Sequence, residues 1–242
     1  MRFGLSIFAL PPLFAVASCG SSAPKHASLV VGESLGPPRS EVEASCRALC
    51  AIAPDYAGST RAAPSFALHD EHGKSVSFEQ LRGKVVIINL WLAIPEVAPD
   101  MPELAKLWKL LRARPDVAFV SIANDGLPER ALTLLQQKVP LVDRYPVLFD
   151  PTGKTAQDFG TFQFPETWFV DPGGIMRARI DGARKWSALK VGAFLDTLRD
   201  GKFCPLEIDE GWMSGLGSEY CDGTSEAPPR SGQHLNEPST SP

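Results

Sequence analysis

Apolar residues in this chain follow two rhythms. Residues 85–91, Val-Val-Ile-Ile-Asn-Leu-Trp, form a near-continuous apolar run of strand length. Such a run predicts a strand covered on both faces. After a proline-rich turn the spacing changes, and Leu104, Leu107, Trp108 and Leu111 repeat every three to four positions, as on the buried stripe of a helix. Strand, loop, helix is the order in which open α/β sheets set their chemistry, at the carboxyl end of the strand.

The same patterns order the rest of the chain. Ser40 and Glu43 have capping-box spacing at the start of a helix whose Val42, Cys46, Leu49, Cys50 and Ala53 share a face, and Pro54 stops it. Residues 66–68 and 75–77 flank Glu71-His72-Gly73-Lys74 and predict a hairpin, followed by a helical turn over 78–81. Asp100 and Glu103 give a second capping box, with Pro102 in the first turn. Residues 117–123 read as the next strand, which predicts a right-handed parallel crossover from 85–91. A helix over 127–139 turns Ala131, Leu134 and Leu135 inward, and a short strand over 146–150 leads into a brief helix ending near Gly160. Residues 167–171 and 175–180, joined by Pro172-Gly173-Gly174, predict an antiparallel hairpin. A last helix, capped by Ser187 and closed by Gly201, buries Ala188, Val191, Leu195 and Leu198.

Composition adds bounds. Of 242 residues, 44% are apolar and 21% charged, with a net charge of −4, and the basic residues form no cluster, so a nucleic-acid partner is not expected. Residues 1–18 have a positive Arg2, an apolar stretch too short to span a bilayer and a small-residue end, which predicts an export signal. Val16-Ala17-Ser18-Cys19 resembles a bacterial lipobox, so Cys19 is the expected lipid attachment point. The expected product is an exported protein anchored by lipid to a bacterial membrane, on its periplasmic side or at the cell surface. Residues 19–39 are rich in Ser, Gly, Pro and Ala and predict a linker, 40–61 a helical extension, 62–201 the main domain, and 202–242 a tail disordered after about 222.

Four further cysteines, Cys46, Cys50, Cys204 and Cys221, make an even number in an exported chain and so are disulfide candidates, with three full pairings open. Cys46 and Cys50 lie one helical turn apart. They read either as a displaced redox pair or half of a metal site, or as two structural bridges from the first helix to Cys204 and Cys221. His69 and His72 are too few ligands for a structural zinc site, so no metal is expected.

The order of elements, taken with VVIINLW, MPEL and FPETWFVDPGG, resembles the TlpA/ResA-like thiol-disulfide oxidoreductases of the thioredoxin superfamily over roughly residues 62–200. The resemblance implies an α/β thioredoxin-like fold: a central mixed sheet flanked by helices, with an N-terminal β-hairpin. Family members carry Cys-x-x-Cys in the loop after the central strand. Here the loop is one residue shorter, and matching from Asn89 sets Pro95 and Ala98 at the two cysteine positions. Asp100 matches the family's acidic residue before Met-Pro, and is otherwise a helix cap. Pro165 takes the family's cis-proline position and Thr167 its threonine, while Gln163 stands where glycine is usual.

Thioredoxin chemistry needs a thiolate and a second thiol to resolve the mixed disulfide. Proline and alanine supply neither, so no catalytic residue and no cofactor is expected. What the resemblance leaves is recognition: a groove of Trp91, Phe164, Pro165, Glu166 and Thr167 that accepts an extended peptide or protein partner by strand addition. Trp91, Phe164 and Trp168 read equally as core aromatics. The alternative function is oxidoreductase activity from Cys46 and Cys50.

Overall fold

A computed structural model describes residues 36–221 apart from Ser59 and Ser187. The export signal, Cys19, most of the linker, the Ser187 cap and the tail from residue 222 lie outside the described residues. The described residues from Pro37 to Cys221 form one unit.

The centre is strand β4, Val85–Trp91, all seven residues of which are buried. Its side chains alternate between two cores, as a pleated strand requires. Val85, Ile87 and Trp91 face one layer, and Val86, Ile88 and Leu90 face the other. Strands β5 (Val117–Ala123) and β6 (Val147–Phe149) continue the sheet on one side in parallel. Strands β7 (Glu166–Val170) and β8 (Met176–Asp181) continue it antiparallel on the other. The first hairpin, β2 (Ala67–Asp70) and β3 (Ser75–Ser77), adds to β6.

Helices α2 (Met101–Leu111) and α3 (Pro128–Lys138) cover one face through Leu104, Leu107, Leu111, Ala131 and Leu135. Helix α5 (Ala188–Arg199) joins that layer through Val191, Leu195 and Leu198, and so does α1 (Arg39–Ala51) through Leu49. Leu134 and Trp108 pack only partly buried at its margin. Helix α4 (Lys154–Phe159) brings Phe159 to the second core, beside Phe66, Phe78 and Trp168.

Neither expected capping box forms. Helix α1 starts at Arg39, one residue before Ser40, because Pro38, with φ −53° and ψ 140°, directs its carbonyl to the N–H groups of Glu41 and Val42 at 2.8 and 3.2 Å. Asp100 is itself helical, with φ −76° and ψ −29°, so its side chain cannot turn back onto the first free amides. At the carboxyl end of α5, Gly201 has φ 68° and returns its N–H to Leu198, the left-handed closure that glycine favours.

The sheet extends beyond the expected 62–201 domain. A two-residue strand, β1 (Tyr56–Ala57), pairs with β8. The segment read as tail contains a hairpin, β9 (Leu206–Asp209) and β10 (Trp212–Gly215). Its turn, Glu210-Gly211, has positive φ at both residues, which matches the twist of the flanking strands. The full order is β10-β9-β1-β8-β7-β4-β5-β6-β2-β3. Two disulfides hold these additions: Cys46–Cys204 and Cys50–Cys221, spanning 158 and 171 positions. Once either is closed, the other completes a ring of only about twenty residues, so its entropic contribution is roughly 3 kcal/mol.

Candidate functional site

Chain leaving β4 at Leu92 coils through a series of tight turns before α2. The Val97, Ala98 and Asp100 N–H groups return to Ile94, Pro95 and Val97 carbonyls at 3.2, 3.2 and 3.0 Å. The Asp125 carboxylate receives the Ala93 N–H and ties the loop to the end of β5. Pro95 is exposed and Ala98 is buried at the foot of the loop. The four described cysteines lie on other segments, and all are closed in disulfides. Cys46 and Cys50 each pair with a cysteine beyond α5, so they do not form a redox pair with one another.

Behind the loop, Asp100 is 1% exposed and its Oδ1 accepts the Arg184 N–H at 3.1 Å. Burial is the main influence and raises its pKa to about 6, against the opposing pull of Arg184 and Trp186. Of its two sequence readings, the cap is therefore excluded, and Asp100 is a buried acid at the start of α2. Burial also pushes the Tyr145 phenol up, with Asp100 adding to the effect.

Beside the loop, the Phe164–Pro165 peptide is cis. The Pro165 carbonyl accepts the Gly182 N–H at 2.8 Å. The expected groove is only partly a surface. Trp91 is buried and its Nε1 donates to Ser121 Oγ at 2.8 Å. Thr167 Oγ1 accepts from Asn89 Nδ2 at 3.0 Å inside the helical layer. Glu166 points to the opposite face, since successive strand residues alternate. There it receives Thr161 Oγ1 and, at 2.5 Å, Trp168 Nε1, with Arg179 Nε 3.8 Å away. Burial lifts the Glu166 pKa to about 7, opposed by Thr161 and Arg179. Trp91, Pro165, Glu166 and Thr167 are thus support, and Phe164 alone of the five is half-buried.

The open surface is a cleft of about 490 Å³ lined by Leu92, Asn124, Ala156, Gly160, Phe162 and Phe164. Phe162, 91% exposed, forms its rim. Asn124 is held by two backbone carbonyls, of Ile122 at 3.1 Å and Trp91 at 3.4 Å. Sequence reading missed Leu92, Asn124 and Phe162. An apolar residue in a loop directly before the cis-proline turn was the one signal for Phe162. A second cleft of about 710 Å³ meets the first at Gly160 and Phe162 and runs across Arg177, Arg179 and Tyr56 to β9. Among the described residues, no group of three or more His, Cys, Asp or Glu side chains could hold a metal ion.

Residues 60–179 match the AhpC/TSA family. A thiol:disulfide interchange protein DsbE from Allochromatium vinosum is 33% identical over 134 residues, covering 52% of this chain and 69% of that protein. A thioredoxin-like protein, YneN, from Bacillus subtilis is 26% identical over 116 residues, covering 48% of this chain and 66% of that one. The match thus spans about two thirds of each relative. A structure from Chlorobium tepidum, assigned to the DsbE interchange proteins, superposes with a TM-score of 0.50 at 24% identity, over 57% of this chain and 99% of that one, and establishes the likeness of fold.

Proposed function

Given that this chain belongs to the DsbE-like thiol-disulfide oxidoreductase homologues with an AhpC/TSA redoxin domain, we propose that it is a non-catalytic member of that family, exported and lipid-anchored at Cys19, which binds an extended segment of a partner protein. One observation carries the reading: at the end of β4, where the family's chemistry needs two thiols, the loop offers Pro95 and Ala98. Disulfide bonding of Cys46, Cys50, Cys204 and Cys221 supports it, since a closed cystine is no nucleophile.

The binding half of the reading is supported by the cleft between Leu92, Phe162 and Phe164. Its apolar walls suit side chains of an extended peptide, and Phe164 makes no backbone hydrogen bond among the described residues, leaving its N–H and carbonyl for a ligand backbone. The anchor rests on the sequence of residues 1–19.

Two measurements test the proposal on the mature protein. Insulin reduction with a dithiol reductant is expected to run at the uncatalysed rate. An amide chemical-shift titration with extended peptides is expected to move Leu92, Phe162, Gln163 and Phe164. Thiol-dependent turnover by the unmodified chain would refute the non-catalytic reading. Shifts confined to other surfaces would refute the cleft.

A further inference from the structure

The two disulfides are unequal. Cys50 and Cys221 are 6% and 4% exposed, so both ends of that bridge are shielded. In the other, Cys46 is fully buried but Cys204 is half-buried, on the connection between α5 and β9. Gly217 covers this bridge from one side: a Cβ there would lie 2.5 Å from Cys46 Sγ and 3.2 Å from Cys204 Sγ, so only glycine permits the approach.

Besides the bridge at Cys204, the β9–β10 hairpin is tied at its turn, where the Gly211 N–H donates to the Asp55 carbonyl at 3.2 Å and Tyr56 Oη donates to Glu210 at 3.4 Å. Strand β9 joins the rest of the sheet through the pair Ala57–Ile208 with β1. Leu206 and Ile208 add buried apolar surface. The same strand forms one wall of the larger cleft with Glu207, Ile208 and Asp209, opposite Arg177 and Arg179.

We propose that Cys46–Cys204 is a site of thiol-disulfide exchange for an incoming protein dithiol, and that its opening loosens the β9–β10 hairpin and the cleft it walls, while Cys50–Cys221 stays closed as a permanent staple. The incoming thiolate attacks Cys204 Sγ, the sulfur of the less buried cysteine of the pair. A new S–S bond forms, the Cys46–Cys204 bond breaks, and Cys46 leaves as a thiolate that takes up a proton. The second thiol of the dithiol then attacks the mixed disulfide and releases Cys204. The dithiol is oxidised by two electrons and the bridge is reduced by two. This chain is the recipient of the exchange and needs no thiol at Pro95 or Ala98.

The test is timed reduction of the full mature protein with dithiothreitol, followed by acid quench, alkylation and peptide mapping. Cys46 and Cys204 are expected to be alkylated at least about tenfold faster than Cys50 and Cys221, because exchange rate follows access to the attacked sulfur. Hydrogen exchange at the same times is expected to rise over residues 206–215 and to stay unchanged over β4 and β7. Simultaneous opening of both bridges, or earlier opening of Cys50–Cys221, would overturn the proposal. A C46S/C204S variant supplies the second arm: without reductant, it is expected to show the same raised exchange over 206–215. Native protection in that variant would equally overturn the switch, and should the variant fail to fold, the timed reduction still decides.

Discussion

Asp100 at the start of α2 and Arg184 in the connection from β8 to α5 are joined by a hydrogen bond of 3.1 Å, from the Arg184 N–H to a buried carboxyl oxygen. The contact ties the cysteine-free loop after β4 to a segment 84 positions away, with an acid whose ionisation is costly.

That cost has a sign. The folded pKa of Asp100, about 6, lies above its ordinary value of 3.8, so the folded state binds the proton more tightly than the unfolded chain does. This contribution to stability is full below pH 4 and lost as pH rises to 6. Asp100→Asn keeps the acceptor without the charge. It is expected to stabilise the fold by about 1–3 kcal/mol at pH 8 and to do little at pH 4, as urea melts at the two pH values would read.

Glu166 behaves in the same direction over pH 4.5 to 7, but it also accepts from two donors, Thr161 and Trp168, and faces Arg179 at 3.8 Å. Glu166→Gln preserves an acceptor, and its stability is expected to vary less with pH than that of the parent. Glu166→Leu leaves the Thr161 hydroxyl and the Trp168 indole without their buried acceptor, while Arg179 keeps Asp181 at 2.8 Å, and is expected to cost about 1–3 kcal/mol in denaturant unfolding at pH 6.

Placing sulfur at Pro95 and Ala98 tests whether the loop can support thiol chemistry. In P95C/A98C the first thiol would be exposed and the second buried beneath the loop, near the N-terminus of α2. The double variant is expected to reduce insulin in a dithiol-dependent manner, at least about tenfold above the parent, and Asp100→Asn in that background is expected to alter the pH profile. An inactive double variant with a well-formed fold would mean that the shortened loop prevents the geometry.

Phe162 separates binding from folding. With 91% of its surface exposed, Phe162→Ala is expected to change stability by less than about 0.5 kcal/mol. In the peptide titration, the same substitution is expected to weaken affinity about tenfold or more, as truncation of an aromatic anchor that a ligand buries does.

Legibility in the sequence followed the strength of the local signal. Strand β4, helix α2 and the β7–β8 hairpin carried long apolar periods or turn residues that the packed structure respects. The family resemblance located the fold. Strand β1 has two residues, too few to show a period. The β9–β10 hairpin was readable in principle, since Leu206 and Ile208 are buried between exposed Glu207 and Asp209, but the polar residues around it masked that alternation. The groove failed for a different reason. Adjacent strand residues face opposite layers, and which layer is covered depends on α4 and α5, far away in sequence. Glu166 is the clearest case: Trp168, two positions on, shares its face by alternation, but nothing near it in the chain announces that Arg179 will come up beside it.

The Cys50–Cys221 bridge also decides how the molecule carries mechanical load. Tension applied between an amino-terminal anchor and anything attached beyond residue 221 would enter the first helix and cross directly through sulfur to the far end of the chain. The ten strands between would feel none of it. A protein held at a surface by one end and pulled by a partner at the other would keep its sheet unstretched, and its cleft in shape, while under force.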